Sequence, residues 1–420
     1  MIKTVSLGAG ITLRCYTDTR FKTNCLSLQL VRPMCRQEAA ANAMISAVLL
    51  RGCEQYRDIQ ALTRRLDDLY GATVGSLVRR VGDYQTTGFY CSYTEDRFAL
   101  PGDRILEPVV ELVRQLLLEP RLEDGAFCAD FVEGEKRNAL SAIEAQKNDK
   151  RAYAANQLIK NMCRLDPFGI PRFGEPEQIH AIDPRNLYRH YQKILRQSRI
   201  DLFYVGSQPP ERMAELLGRI FQDIDRDYVN LPAQQPFRDG GPTRQSEAMD
   251  VAQGKLQLGF VTPATLNTPD FVPMQVFNTM FGGGIVSKLV ANIREKMSLC
   301  YDIGSSYTGG KGILTVGAGM DHQMAETVEK EILCQLDECR CGNISPLELQ
   351  SAQAALISSL RSIHDSPSSI ENYYSTGALS GCTISVPDYM QQVEQTTVED
   401  LSRLAKLLQL HSVFLLKGVQ

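Results

Sequence analysis

Hydrophobic and polar positions alternate in the first part of the chain, which predicts β-strands. The segments "ITLRCYT" and "NCLSLQLVR" carry apolar side chains at about every second position, the period of a half-buried strand. The polar segment "DTRFKT" lies between them and predicts a turn that pairs the two strands. Farther along, "TVGSLVRRV" and "TTGFYCSYT" alternate in the same way, and "RIDLFYVGS" is apolar enough for a buried strand.

Helical spacing separates these strands. In "EQYRDIQALTRRLDDLYGA" the apolar residues recur at intervals of three and four, and Gly71 follows where a helix-ending glycine is expected. Residues 41–53, "ANAMISAVLLRGC", predict a buried helix that ends before Gly52 and carries no reactive side chain. The first half therefore predicts a sheet combined with helices.

The order of elements begins again after a break. Residues 227–247, "DYVNLPAQQPFRDGGPTRQSE", contain prolines and glycines without periodicity and predict a linker. The strand and helix patterns that follow repeat those of the first half, and the last strand, "SVFLLKGVQ", matches "RIDLFYVGS" in composition and place. We therefore predict an α+β fold of two tandem homologous α/β-sandwich domains, residues 1–226 and 248–420, each an antiparallel sheet flanked by helices.

Composition and charge exclude several classes of protein. The 420 residues are 43% hydrophobic and 22% charged, which is typical of a globular protein. The net charge of -4 disfavours nucleic-acid binding. No run approaches the roughly 18 apolar residues of a membrane span, and the opening segment lacks the apolar core of a signal peptide. The 12 cysteines are scattered without zinc-site spacing, so we expect a reduced, cytoplasmic protein that binds neither membrane nor nucleic acid.

Two segments resemble a known family of peptidases. The opening "LGAGITLRCYTDTRFKTNCLSLQLVRP", the later "GGGIVSKLVANIREKMSLCYDIGSSY" and the order of elements resemble the pitrilysin/insulinase-type zinc metallopeptidases over nearly the whole chain. The resemblance implies one half of a clam-shell peptidase. Active members carry the motif H-x-x-E-H on a first-domain helix just before a glycine. Its histidines bind Zn²⁺, and its glutamate is the general base for a zinc-bound water.

This motif is empty in the present chain. With Gly52 as the anchor, its five positions fall on Ala43-Met44-Ile45-Ser46-Ala47. The two histidine positions are therefore alanines, and the glutamate position is Ser46. All five histidines of the chain lie after residue 179, so no histidine from the first 179 residues could replace them. The resemblance thus implies a motif-less member that is not catalytic alone and holds no metal.

A further glutamate completes the zinc coordination in active members. Its position falls near Ala142 in "NALSAIEAQ". Glu135 and Glu144 are alternatives if the alignment contains a small gap.

The resemblance also implies two substrate-binding residues in the second half. Arg294 in "NIREKM" and Tyr301 in "LCYDIG" lie seven positions apart, which matches an Arg–Tyr pair that reaches the substrate in active members. A guanidinium can hold a carbonyl or carboxylate group, and a phenol can donate to a developing oxyanion. The alternative is that Arg294 is a solvated helix residue and Tyr301 a half-buried strand residue.

Three hypotheses for the function follow. The first is a non-catalytic subunit of a heterodimeric zinc peptidase, which contributes substrate-binding groups and a chamber wall to a homologous, zinc-bearing partner that processes peptides. Zinc is then expected only in that partner. A homodimer of this chain is an alternative assembly. The second is a structural or assembly subunit with no proteolytic role. The third, an enzyme with another mechanism, is disfavoured because the sequence indicates no cysteine–histidine pair.

Overall fold

The computed structural model describes residues 2–382 and 384–418, so Met1, Thr383 and the last two residues of the predicted strand "SVFLLKGVQ" lie outside it. The described strands are β1 (Ile2–Gly8), β2 (Ile11–Thr17), β3 (Thr23–Pro33), β4 (Thr73–Val81), β5 (Tyr84–Thr94), β6 (Leu122–Glu123), β7 (Ala126–Phe127), β8 (Arg199–Gly206), β9 (Thr243–Met249), β10 (Gly254–Val261), β11 (Asp302–Thr308), β12 (Ile313–Met320) and β13 (Gln409–Gly418).

The described α-helices are α1 (Ala39–Leu49), α2 (Ile59–Asp68), α3 (Leu106–Leu118), α4 (Ala129–Gln146), α5 (Lys150–Met162), α6 (Pro176–His180), α7 (Pro184–Gln197), α8 (Pro210–Gly218), α9 (Phe271–Asn278), α10 (Ala325–Arg340), α11 (Pro346–Ser362), α12 (Pro367–Ser380), α13 (Val386–Gln395) and α14 (Val398–Leu407). Within the described residues, no helix is both long and apolar enough to cross a membrane.

The chain divides into two compact units, each of which takes one segment from the opposite half of the sequence. The first unit comprises Met1–Ile143, Ile170–Gln234 and His364–Thr376, and the second comprises Glu144–Gly169, Gln235–Ile363 and Gly377–Gln420. We call Glu144–Gly169 and His364–Thr376 the exchanged segments. The origin of the halves as copies of one domain, with boundaries at residues 226 and 248, stays a prediction. Strand β9 begins at Thr243, within the predicted linker.

The sheet of the first unit is mainly antiparallel and has the strand order β1-β2-β8-β3-β5-β4. The predicted pairing of "ITLRCYT" with "NCLSLQLVR" is wrong, because β8 lies between these two strands, parallel to β2 and antiparallel to β3. Strand β8 is buried from Ile200 to Gly206, so both of its edges need a neighbouring strand to satisfy the backbone. The short connection between β2 and β3 spans the roughly 10 Å that one inserted strand requires.

Alternate residues of β3 face two different layers. Leu26, Leu28 and Leu30 belong to the hydrophobic core that also contains the apolar side chains of α1, α3 and α7. Cys25 belongs to a second apolar cluster, with Ile370 of an exchanged segment. Period-two alternation along a strand explains this division. The exchanged segment His364–Thr376 thus covers the sheet face that α1, α3 and α7 do not cover.

A buried ion pair anchors this exchanged segment in the first unit. The side chain of Glu371 is 0% exposed, and its Oε2 lies 2.7 Å from Nη2 of Arg79 on β4. A second guanidinium nitrogen donates to Oε1 at 3.0 Å. The Ser27 hydroxyl also donates to Oε1, at 2.7 Å. Both carboxylate oxygens therefore have partners, as a buried charge requires.

The second unit repeats this arrangement with different residues. Its sheet has the strand order β11-β12-β10-β13-β9, with β13 and β9 parallel. Helix α5, in the exchanged segment Glu144–Gly169, packs its Ala154 and Leu158 against Phe414 and Leu416 of β13. Gly259 of β10 permits this close approach, since a Cβ there would lie 2.7 Å from the sulfur of Met162.

A fully buried ion pair anchors the second exchanged segment as well. Asp166 and Lys311 are each 0% exposed, and their charged atoms lie 3.0 Å apart. The Asp166 carboxylate also accepts the backbone N–H groups of Phe168 at 2.8 Å and Arg238 at 2.9 Å. Lys311 donates in addition to the carbonyl of Gln235. Each unit therefore secures its exchanged segment through a charge pair completed by further hydrogen bonds.

Glu371→Gln should destabilise the protein strongly, because it leaves the guanidinium of Arg79 without its counter-charge. Removing one partner of a buried pair costs about 3–5 kcal/mol. We expect a loss of this order in the free energy of unfolding measured with urea at pH 7. The control Glu215→Gln breaks an exposed pair with Arg219 and should cost under about 0.5 kcal/mol. Equal effects of the two variants would contradict the anchoring role of Glu371.

Candidate functional site

Helix α1, on which the resemblance places the zinc motif of active members, has the features of a scaffold helix. Its core-facing side chains Met44, Ile45 and Val48 are at most 3% exposed and belong to the core of the first unit. Ala43 is also buried, and Ala47 is half-buried. The helix ends before Gly52, where a Cβ would lie 2.8 Å from the carbonyl oxygen of Tyr56. The apolar run and this glycine therefore position α1, as the sequence predicts.

Hydroxyl groups surround Ser46, which the resemblance places at the general-base position of the motif. The Ser46 side chain is buried, and its Oγ lies 2.6 Å from Oγ of Ser76 on β4. The hydroxyl of Thr87 on β5 donates to Ser46 Oγ at 3.1 Å. Hydroxyl groups with pKa values far above neutrality cannot replace a carboxylate as a general base. The three side chains instead join α1 to the sheet.

The candidates for the third zinc ligand lie in other interactions. Ala142 is an exposed residue of α4. Glu135 lies 2.7 Å from the guanidinium of Arg51, and Glu144 lies 2.8 Å from the ammonium group of Lys147. Among residues 2–382 and 384–418, no group of three or more His, Cys, Asp and Glu side chains could hold a metal ion. Because alanine has no donor atom, the motif positions do not fit Zn²⁺.

A buried amide chain holds α1 from its polar side. Asn42 donates from Nδ2 to Oε1 of Gln85 at 2.9 Å, and Gln85 donates in turn to the carbonyls of Ala39 and Arg172. The Oδ1 atom of Asn42 is therefore an acceptor, so Nε2 of His190, at 2.7 Å, is the donor. Burial lowers the pKa of His190, which favours the neutral ring with its proton on Nε2.

In the second unit, Arg294 lies in a π-helical turn, Val290–Lys296. The backbone N–H of Met297 donates to the carbonyl of Asn292 at 3.0 Å, which closes this wider turn. The Asn292 side chain donates to Oε1 of Gln335 on α10 at 2.7 Å. π-Helical turns occur frequently at functional sites. The Arg294 side chain is 48% exposed and lies 3.5 Å from Glu295 without a hydrogen bond.

Tyr301 immediately precedes β11. Its backbone N–H donates to the carbonyl of Gly319 at 2.7 Å, and its side chain is 61% exposed. Burial raises the pKa of the neighbouring Cys300 thiol to about 11, and the positive charge of Arg294 partly opposes this rise. The guanidinium of Arg294 is therefore close to the residue that precedes Tyr301. The structure brings the two predicted residues to the same end of β11.

A glycine-rich turn, residues 282–284, lies beside β11. A Cβ at Gly282 would lie 2.8 Å from the backbone nitrogen of Ser305 on β11, so glycine permits the contact. The turn then exposes Ile285 and Val286, at 89% and 65%.

Two features of these sites escape sequence reasoning. The amide chain of Asn42 joins residues more than 40 positions apart, and no local pattern predicts such a contact. Two further cations, Arg151 and Lys255, lie near Asp302 of β11. The sequence gives a signal only for the start of α5, where Asp149 caps the helix by accepting the N–H of Arg151 at 3.1 Å.

The fold is α+β, and the helix on which the resemblance places the zinc motif carries no zinc-binding side chain. The family model "Peptidase M16 inactive domain" matches residues 181–356. The chain is 27% identical over 415 residues to the "Probable inactive metalloprotease YmfF" of Bacillus subtilis (strain 168). The alignment covers 99% of this chain and 97% of that protein.

Solved structures of other proteins have the same fold as this chain. A conserved protein from Enterococcus faecalis V583 superposes with a TM-score of 0.92 at 25% identity, over 100% of this chain and 99% of that chain. A chain of Complex III2 from Candida albicans has a TM-score of 0.75 at 15% identity, over 100% of this chain and 96% of that chain. The chain is therefore similar to the M16 family, the pitrilysin/insulinase-type metallopeptidases, and in particular to its inactive members. The resemblance noted from the sequence is confirmed.

Protonation of His190 should destabilise the first unit in acid. Because the pKa of His190 is lowered in the fold, its contribution to stability is complete above the unfolded pKa of about 6.5 and is lost as the pH falls below it. The loss from this group amounts to at most about 1.4 kcal/mol per pH unit. We expect His190→Gln, whose amide can still donate to Asn42, to show a weaker loss of unfolding free energy from pH 7 to pH 5.

The control is His180→Gln, because His180 is an exposed residue at the end of α6. This variant should keep the pH dependence of the wild-type protein. A His190→Gln protein with the wild-type pH profile would show that the buried ring does not contribute to acid sensitivity.

Proposed function

We propose that this chain is the non-catalytic subunit of a two-chain zinc peptidase. It contributes substrate-binding groups and a chamber wall to a homologous partner that carries the zinc. The partner performs the hydrolysis, and this chain binds the peptide. The observation that carries the proposal is the pair Arg294 and Tyr301, which are exposed side chains at one end of β11.

The donor groups of this pair are available for a ligand. Within the described part of the chain, neither the guanidinium of Arg294 nor the phenol of Tyr301 takes part in a hydrogen bond, and the nearest acid to Arg294 is its neighbour Glu295. Solvated side chains of this kind have no structural task in the unit. An arginine fork and a phenol can bind a peptide carbonyl and stabilise a developing oxyanion.

The alanines at the motif positions support the same assignment of roles, in which this chain binds the peptide and the partner hydrolyses it. Helix α1 keeps its packing while its metal-binding positions carry alanine, which has no ligand atom. A chain that retains substrate-binding groups without a metal can support hydrolysis only if another chain supplies the activated water.

A role as an assembly subunit is the second candidate. The observation that favours it is the similar fold of a chain in Complex III2 from Candida albicans. In that role Arg294 and Tyr301 would be ordinary surface residues, so substituting them would change no activity.

The two candidates are separated by peptide hydrolysis with the zinc-bearing sister protein, assayed alone and with an excess of this chain. We expect hydrolysis to require this chain. The double variant Arg294→Ala/Tyr301→Phe should lower kcat by about a hundredfold, since loss of one oxyanion donor costs about 2.7–4 kcal/mol. The double variant should still bind the sister protein, as measured by size-exclusion chromatography.

Lys296→Ala is the matched control, because Lys296 is an exposed residue of the same π-helical turn. It should retain full stimulation. If the sister protein is equally active alone, or if the double variant stimulates as well as the wild type, the substrate-binding role is wrong.

A further inference from the structure

Three donor groups without hydrogen bonds lie at the first residues of β11. Two of them belong to Arg294 and Tyr301. The third is the guanidinium of Arg151, at the start of α5, whose side chain is 62% exposed. Its nearest acid is Asp302, at 3.9 Å, which is beyond hydrogen-bond distance. Over the described ranges 2–382 and 384–418, only the backbone N–H of Arg151 donates a hydrogen bond.

The position of Arg151 follows from two residues of β11. Asp302 and Gly304 lie on one face of this strand, because side chains alternate with a period of two. A Cβ at Gly304 would lie 3.6 Å from Nη2 of Arg151 and 3.3 Å from the carbonyl oxygen of Gly282. The guanidinium therefore lies in van der Waals range of Gly304, next to the glycine-rich turn.

Positive charge predominates around the first residues of β11. Lys255 lies 3.2 Å from Asp302 and occupies one of its oxygens. Asp302 is thus shared between Lys255 and Arg151, and Glu295 is next to Arg294. Three cations face two carboxylates, and the two arginines keep unused donors. A planar guanidinium with free N–H groups binds a carboxylate through two parallel hydrogen bonds.

We propose that Arg151 and Arg294 form a binding site for a carboxylate of a peptide, either its C-terminal group or an acidic side chain. This inference rests on the proposed function for its ligand, and it names the chemistry by which that peptide is selected. Arg151 is then a specificity-determining residue, and the neighbouring Ile285 and Val286 offer apolar contacts to the rest of the peptide.

The test is direct binding to this chain alone, measured by fluorescence anisotropy. The probes are fluorescein-labelled heptapeptide libraries built only from Ala, Gly, Leu and Ser, made once as C-terminal acids and once as C-terminal amides. A third library carries a C-terminal amide and one central Glu. We expect the wild-type chain to bind at least one carboxylate-bearing library about tenfold more tightly than the neutral amide library. The preferred library identifies the source of the carboxylate.

Arg151→Gln should reduce this preference to about threefold or less and leave binding of the neutral library unchanged. The matched control is Arg185→Gln. Arg185 is also an exposed residue in the first turn of a helix, and its backbone N–H is likewise accepted by a capping aspartate. The control should keep the full preference.

Two outcomes would overturn the inference. One is equal binding of all three libraries by the wild type, and the other is an equal weakening of all libraries in Arg151→Gln. Neither outcome decides the proposed function, which depends on stimulation of the zinc-bearing sister protein. A chain that stimulates the sister but shows no carboxylate preference contradicts this inference alone. A preference without stimulation supports the carboxylate site and contradicts the proposed function.

Discussion

The exchanged segments depend on two buried ion pairs, Arg79–Glu371 and Asp166–Lys311. Burying charge is costly unless the partner and the remaining hydrogen bonds are all present. Here Ser27 completes the first pair, and backbone N–H groups complete the second. The geometry is satisfied in only one placement of each segment. The ion pairs therefore specify where the segments pack, while apolar contacts such as Leu158 with β13 supply the stabilisation.

Loss of chemistry did not require loss of structure in the first unit. A zinc-binding helix must be buried along one face and reactive along the other, and substitution of the ligands affects only the second property. In this chain α1 keeps Met44, Ile45 and Val48 in the core. Ser46 and Asn42 join the helix to the sheet through hydroxyl and amide hydrogen bonds. Polar groups at these buried positions remain hydrogen-bonded, so the helix bears no unsatisfied group there.

Local patterns in the sequence predicted the elements well and their arrangement less well. Period-two alternation identified β2 to β5, and the apolar run at residues 41–53 predicted a buried helix, which α1 confirms. The insertion of β8 between β2 and β3 was missed, because pairing partners far apart in sequence leave no local signal. The exchange of Glu144–Gly169 and His364–Thr376 was missed for the same reason. Arg151 lies in the first of these segments. Dividing the sequence into two halves therefore could not predict that it lies beside β11.

The exchange underlies the proposed carboxylate site of the second unit. Without it, only Arg294 and Tyr301 would lie at this end of β11, and these two residues follow from the family pattern. The anchored segment adds α5, and Asp149 fixes the first turn of this helix by accepting two backbone N–H groups. A guanidinium on a rigid helix loses less conformational freedom on binding than one on a loop. Because Asp166 and Lys311 hold the other end of the same segment, the ion pair that fixes the placement of this segment also keeps Arg151 beside Gly304. The packing of this unit and the proposed carboxylate site thus depend on one contiguous stretch of chain.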